Sequence, residues 1–128
     1  MSSAPPSSLP TEVLERRARA KAWFEALQQR IVAELERLED EAPDELYPDA
    51  SGRFDMRPWT RETGTGGGIG GHFSGRLFEK AGVHTSAAVA RFSPEMAATM
   101  PGADKDPSYV SASISLIVHP RNPRVPAV

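Results

Sequence analysis

Apolar side chains recur at steps of three and four residues through the first third of the chain, the spacing of one face of an α-helix. The positions are Ala20, Phe24, Leu27, Ile31, Leu35 and Leu38. They follow a Ser/Pro-rich stretch, residues 1–10, whose composition predicts a disordered tail. Pro43 disfavours helical backbone in the residue before it. The pattern therefore predicts one long amphipathic helix that starts from Thr11 and ends near Glu39–Glu41.

The second half of the chain has the character of β-strands. Phe54–Glu62 alternates in polarity, but Pro58 lacks a backbone N–H and confines this strand to a sheet edge or a bulge. Two short strand-like pieces are predicted around Lys80–Gly82, ending near Phe92. The strongest strand signal is Tyr109–His119. Antiparallel strands covered by one long helix indicate an α+β fold.

Alternation along Tyr109–His119 separates an apolar face from a polar one. The apolar face holds Val110, Ala112, Ile114, Leu116 and Val118. The other face holds Ser111, Ser113, Ser115, Ile117 and His119. Serine and histidine side chains are costly to bury without hydrogen-bond partners. Two interpretations stay open: the solvated side of a one-sided sheet, or the floor of a polar pocket.

Composition and charge exclude several classes of function. The 128 residues suit one domain, and the absence of cysteine excludes disulfides, thiolate metal sites and cysteine nucleophiles. A net charge of −2 gives no electrostatic support for a nucleic-acid partner. The start of the chain lacks the basic and apolar regions of a secretory signal, and no apolar run approaches the ~20 residues that span a bilayer. We therefore expect a cytoplasmic protein without a membrane span.

The run TGTGGGIGG, Thr63–Gly71, contains the letters of a G-x-G-x-x-G motif. A dinucleotide site needs a helix directly after these glycines, whereas the following HFSGRLFEK has no helical period. A flexible turn between two strands is the prediction favoured over nucleotide binding. A third interpretation is that bare glycine backbone lets a large flat ligand approach, or lets a lid move.

Histidines and arginines are the candidate ligand-binding side chains. His72, His84 and His119 are too scattered for a metal-binding motif, with His84 placed near a turn. His119, at the end of the serine face, has the position of a ligand or a proton-transfer group. Five arginines flank the glycine run and the terminal segment: Arg57, Arg61, Arg76, Arg121 and Arg124. They would form a carboxylate-binding pocket if their loops converge, and are otherwise ordinary surface arginines.

Four blocks of sequence carry a family resemblance. RPWTRETGTGGG, LFEKAGV, FSPE…PGADKDP and SLIVHPRNPRVPAV occur in this order. Together they resemble the oxygen-dependent coproporphyrinogen-III oxidases, from about Trp23 to Val128. The chain departs from the family where Thr63 and Thr65 interrupt the usual Glu-Gly-Gly-Gly-Gly, which makes the loop about one residue longer.

This resemblance implies an activity. Two propionate side chains of coproporphyrinogen III would be decarboxylated to vinyl groups with O2, giving protoporphyrinogen IX, CO2 and H2O2. It also implies a large antiparallel sheet flanked by helices, a homodimer, no organic cofactor and, as in some bacterial members, a divalent metal such as manganese. Ser115 matches a substrate-binding serine of the family, and His119 matches a metal-ligand histidine.

The resemblance further implies that catalytic groups lie outside these 128 residues. In the family, an H-x-N-x-R motif follows the HPRNPxVPxx block almost at once, and its histidine is the proposed proton donor; it would fall just after Val128. Residues 11–128 would then be the N-terminal portion of a single, incomplete oxidase domain, with no catalytic residue of its own and no activity alone. The alternative is a non-catalytic domain that binds an anionic tetrapyrrole or a similar ligand.

Overall fold

The computed structural model describes residues 9–63 and 65–128, so the predicted tail at 1–10 falls largely outside the described residues. The helices are α1, Thr11–Glu41, and the short α2, Pro94–Ala97. The strands are β1, Asp55–Thr60; β2, Thr65–Phe73; β3, Phe78–Arg91; and β4, Ser108–Pro120. All neighbours pair antiparallel in the order β1-β2-β3-β4. The predicted α+β fold with one long N-terminal helix is confirmed.

The glycine-rich segment is a strand, and its prediction as a turn is wrong. β2 pairs along its length with both β1 and β3. A Cβ atom on Gly67 would collide with the carbonyl oxygen of Trp59, and one on Gly68 with that of Thr85. The neighbouring strands thus approach β2 more closely than any other residue would allow. Glycine is intrinsically a poor strand former, and tertiary packing overrides that preference here.

β3 is one strand of 14 residues, where two short pieces were predicted. Gly82 does not interrupt it, because this residue pairs with both His72 and Ile117. A register shift between Phe78 and Lys80 forms a bulge, which turns both Phe78 and Ala81 towards the core. β1 lies at the edge of the sheet, as its proline predicted.

The core lies between α1 and one face of β3 and β4. Its buried cluster is Phe73, Phe78, Ala81 and Val118, against which Leu35 and Leu38 of the helix pack. Phe73 makes edge-to-face contacts with Phe54 and Phe78 at centroid distances of 4.6 and 6.1 Å. Within the described residues, no helix is both long and apolar enough to cross a membrane.

Two polar side chains of α1 are fully buried, although the helical pattern placed them outside the apolar stripe. Gln28 Nε2 donates hydrogen bonds to the carbonyl oxygens of Ile69 on β2 and Val83 on β3, at 2.8 and 2.9 Å. Thr85 Oγ1 accepts from the Ile69 N–H at 3.2 Å. The Gln28 amide thus provides donors for backbone carbonyls of two adjacent strands. It ties the middle of the helix to the sheet.

Glu39 is the second buried polar residue. Its Oε1 accepts the N–H groups of Gly52 and Arg76, both at 2.8 Å, and its Oε2 accepts those of Leu77 and Phe78 at 2.8 and 2.9 Å. Burial alone would raise the pKa of this carboxyl group, but the four N–H donors outweigh burial and hold the pKa below its ordinary value. An ionised carboxylate therefore fastens the end of α1 to the segment that enters β3.

Candidate functional site

The face of the sheet that is turned away from α1 forms an open face. Thr85 of β3 contacts Gln28 of the helix, so it lies on the opposite face. Side chains alternate between the two faces along a strand, which assigns the other residues from this one. β1 and β2 contribute Asp55, Arg57, Trp59, Gly66, Gly68, Gly70 and His72. β3 and β4 contribute Lys80, Gly82, His84, Ser86, Ser111, Ser113, Ser115, Ile117 and His119. Ala88, on the same side of β3, is buried.

The middle of the open face is glycine backbone at Gly68, Gly70 and Gly82, called here the glycine floor. The side-chain rings of Trp59 and His84 border it. A Cβ atom on Gly68 would lie 3.0 Å from Trp59 Nε1, so the indole lies beside that glycine. A Cβ atom on Gly70 would lie 3.1 Å from His84 Nδ1, and one on Gly82 would lie 3.3 Å from His84 Nε2. The imidazole therefore rests over two strands. His84 is central in β3, so its predicted place near a turn is wrong.

The serine row of β4 is exposed and continues this floor. Ser115 lies directly across from His84, and His119 lies directly across from Lys80. At ~3.3 Å per residue, Ser115 and His119 are about 13 Å apart along the strand. Three inter-strand spacings of ~4.8 Å give the open face a width of about 14 Å from β1 to β4. Its area suits a broad, flat ligand.

The open face carries both basic and acidic side chains. Its basic side chains are Arg57 and Lys80. Asp55 Oδ2 lies 2.9 Å from Arg57 Nε. Glu79 comes directly before Lys80 at the bulge, where both side chains are exposed and Phe78 and Ala81 face the core. The chain as a whole has a net charge of −2. Lys80 takes part in no ion pair within the described residues, so it is the cation of this face that can attract an anionic ligand.

Arg57, Arg76 and Arg121 do not meet in one pocket, so the shared carboxylate-binding pocket, one of the two interpretations left open, is not formed. Arg76 is buried at the end of α1, where its guanidinium donates to backbone carbonyls at 2.7–3.2 Å. Arg76 and Arg121 line one surface hollow, and Arg121 Nε donates to the Gly75 carbonyl at 2.8 Å. Arg57 instead lies on the open face. The guanidinium of Arg76 is used to hold the fold together.

The residues present do not by themselves fit a divalent metal ion. Across residues 9–63 and 65–128, no three His, Asp or Glu side chains are grouped as metal ligands. The cross-strand neighbour of His119 is Lys80, whose ammonium group would repel a second cation. The metal-ligand role of His119 and the substrate role of Ser115 stay predictions.

Trp59, Lys80 and His84 were missed as members of the candidate site. Period-two alternation through FEKAGVHTS would have placed Lys80, Gly82 and His84 on one face, if the segment had been treated as a single strand. Trp59 could be assigned once the glycine run was known to be its paired strand. No local signal in the sequence reveals that pairing.

Comparison with known proteins gives consistent matches. Residues 19–128 match the family model described as coproporphyrinogen III oxidase. Proteins named oxygen-dependent coproporphyrinogen-III oxidase from Rickettsia felis and Rickettsia akari are each 34% identical to the chain, over 119 and 116 residues. The protein of that name from Rickettsia bellii (strain RML369-C) is 35% identical over 111 residues. The matches cover 84–90% of this chain but 38–40% of the relatives' length.

Proposed function

Because the chain belongs to the coproporphyrinogen III oxidase family, we propose that it provides the substrate-binding sheet of an oxygen-dependent coproporphyrinogen-III oxidase. For each propionate processed, the bond to the carboxylate carbon breaks and releases CO2. The methylene carbon attached to the pyrrole ring loses a hydrogen together with its electron pair, and the electrons of the broken bond to CO2 form the vinyl double bond. The released hydride equivalent and one proton from solvent reduce O2 to H2O2. Two such steps yield two vinyl groups and hence protoporphyrinogen IX.

The open face is the observation that carries this proposal. It combines bare glycine backbone with a surface about 14 Å wide across four strands and about 13 Å long between Ser115 and His119. It also presents an unpaired cation, Lys80. A tetrapyrrole with four propionates is a broad ligand with anionic edges, so shape and charge agree. The rings of Trp59 and His84 border the glycines, where they can contact the macrocycle.

Hydrogen bonding to the substrate is assigned to the serine row. The Ser115 hydroxyl can donate to a carboxylate, or accept from a pyrrole N–H. It projects from an extended strand beside His84, so packing within the sheet fixes its position. This role positions the ligand and transfers no proton. We assign the proton donor and the remaining contacts to parts of the protein outside residues 1–128.

Further features belong to the proposal by family membership. We propose a homodimeric, cytoplasmic enzyme that needs no organic cofactor. Where a divalent metal such as manganese is bound, His119 would be one ligand, and the others would lie outside the described residues.

Porphyrin binding by the 128-residue chain tests the proposal. Coproporphyrin III, the stable oxidised form of the substrate, should bind saturably and shift its main visible absorption band. Gly70→Val would add a branched side chain to the floor, where the nearest atoms belong to the movable His84 ring. It should reduce affinity at least tenfold while the chain stays folded. Thr60→Val, on the opposite face of β1, is the matched control and should bind as the wild type does.

A non-catalytic binding domain is the second candidate, because the chain has a core and a ligand-sized face of its own. Both candidates predict binding without turnover by residues 1–128. They differ for the protein expressed from its complete gene. The oxidase consumes O2 and forms H2O2 with coproporphyrinogen III, whereas the binding domain shows saturable binding alone. Turnover by residues 1–128 at the rate of a full-length relative would contradict the location of the proton donor.

A further inference from the structure

We propose that the end of the open face around Lys80 binds a carboxylate carried on a short apolar arm. The inference rests on the proposed function, since it gives a place to one propionate of the tetrapyrrole. A hollow of about 330 Å³ opens beside Lys80, with His72, Phe73, Gly82 and Ile117 among its other lining residues. Three of these five residues, Lys80, Gly82 and Ile117, come from β3 and β4 of the open face. The hollow therefore adjoins the glycine floor.

Lys80 has an ammonium group that the fold leaves available. Among residues 9–63 and 65–128 it takes part in no ion pair or hydrogen bond. Asp55 of this face is bound instead to Arg57. Glu79, directly before Lys80 in the chain, forms no ion pair with it among the described residues. Lys80 can thus direct its N–H donors to a ligand without breaking a contact within the described structure.

The neighbours of Lys80 match the chemistry of a propionate. Its cross-strand partner is His119, so a carboxylate placed beside Lys80 can accept from the ammonium group, and from the imidazole where no metal ion is bound to His119. Beside this pair, Ile117 is 54% exposed and Phe73 forms a buried wall of the hollow. The two methylene groups of a propionate would cover Ile117, which removes apolar surface from water. The carboxylate end of the arm thus meets Lys80, and its methylene groups meet Ile117.

Substitution of Lys80 in the 128-residue chain tests the inference. Lys80→Met keeps the length of the side chain and removes its charge, so coproporphyrin III should bind about three- to fivefold more weakly. Lys80→Arg keeps the charge and should stay within about twofold of the wild type. Lys105→Met makes the same change in net charge in the exposed segment between α2 and β4, and should have no effect.

The outcomes separate this inference from the proposed function. If the wild type binds coproporphyrin III and Lys80→Met binds it equally well, the Lys80 subsite is wrong and the proposed function stands. If the wild type binds no porphyrin, both are wrong. If Lys80→Met does not fold, the methyl NMR signals of the wild type test the Lys80 subsite instead. Coproporphyrin III should then shift the Ile117 signals and spare those of exposed Val125, and an unmoved Ile117 rejects the subsite.

Discussion

Glu39 and Arg76 form two hydrogen bonds, each between the side chain of one residue and the backbone of the other. The Glu39 carboxylate accepts the Arg76 N–H at 2.8 Å, and Arg76 Nε donates to the Glu39 carbonyl oxygen at 2.7 Å. Each charged side chain thus satisfies backbone of the other residue. Removal of either would leave buried polar groups without partners, which costs more than an exposed ion pair does. This exchange fixes the end of the helix to the start of β3.

Glu39→Gln should therefore destabilise the fold. The substituted amide keeps the shape but turns an NH2 group towards N–H donors, and we expect a loss of about 2–4 kcal/mol in the free energy of unfolding. Glu41→Gln is the control, since Glu41 is exposed and pairs with Arg37 on the helix surface. It should cost less than about 1 kcal/mol. Urea denaturation measures both, and equal effects would contradict the structural role of Glu39.

Stability should also depend on pH through Glu39. Because folding lowers the pKa of this carboxyl group, its contribution is complete above the unfolded value of about 4.5. As pH falls below that value, the unfolded chain takes up a proton before the folded chain does. The contribution is then lost progressively until the folded pKa is reached. Urea midpoints measured down to about pH 3 should fall more steeply for the wild type than for Glu39→Gln, and parallel curves would refute this assignment.

Gln28 and its neighbour Gln29 allow one substitution, Gln→Leu, to be compared at a buried and at an exposed position. Gln28→Leu leaves the carbonyl oxygens of Ile69 and Val83 without their side-chain donor and should cost about 1–3 kcal/mol. Gln29→Leu makes the same chemical change at an exposed position and should be within about 0.5 kcal/mol of neutral. Thermal or urea unfolding reports both values. A stable Gln28→Leu protein would show that the buried amide is dispensable.

Ser115→Ala should weaken porphyrin binding without changing stability. Loss of one hydrogen bond to the ligand corresponds to about three- to tenfold in affinity. Ser108→Ala, at the start of the same strand, removes a hydroxyl that faces Arg91 and should leave binding unchanged. Titration with coproporphyrin III compares the two variants. Equal affinities would remove Ser115 from the proposed site.

Elements with a regular period could be predicted from the sequence. The bounds of α1 follow from its apolar spacing and from Pro43, and the helix ends at Glu41 as expected. β4 was predicted to within one residue at each end, because its side chains alternate over a long run. These signals are local, so they needed no knowledge of the partner strands.

What the sequence could not reveal depends on contacts between distant segments. Gln28 and Glu39 are polar, and a pattern of apolar positions assigns such residues to the surface. Their partners are backbone groups on other elements, and a linear sequence does not show which of those groups lack a partner. β2 was missed for a related reason: a run of glycines has no alternation of side chains to detect. The site residue Trp59 depended on that strand for its assignment.

The glycine floor constrains how this face can change by mutation. A pocket lined by large side chains can be enlarged or reduced, because substitutions can remove atoms as well as add them. At Gly68 and Gly70 every substitution adds atoms, and at Gly68 the first added atom already meets backbone. Variation there can therefore close the floor but cannot deepen it. Adaptation to a ligand of different outline would have to come from the bordering residues, such as Trp59, His84 and Lys80.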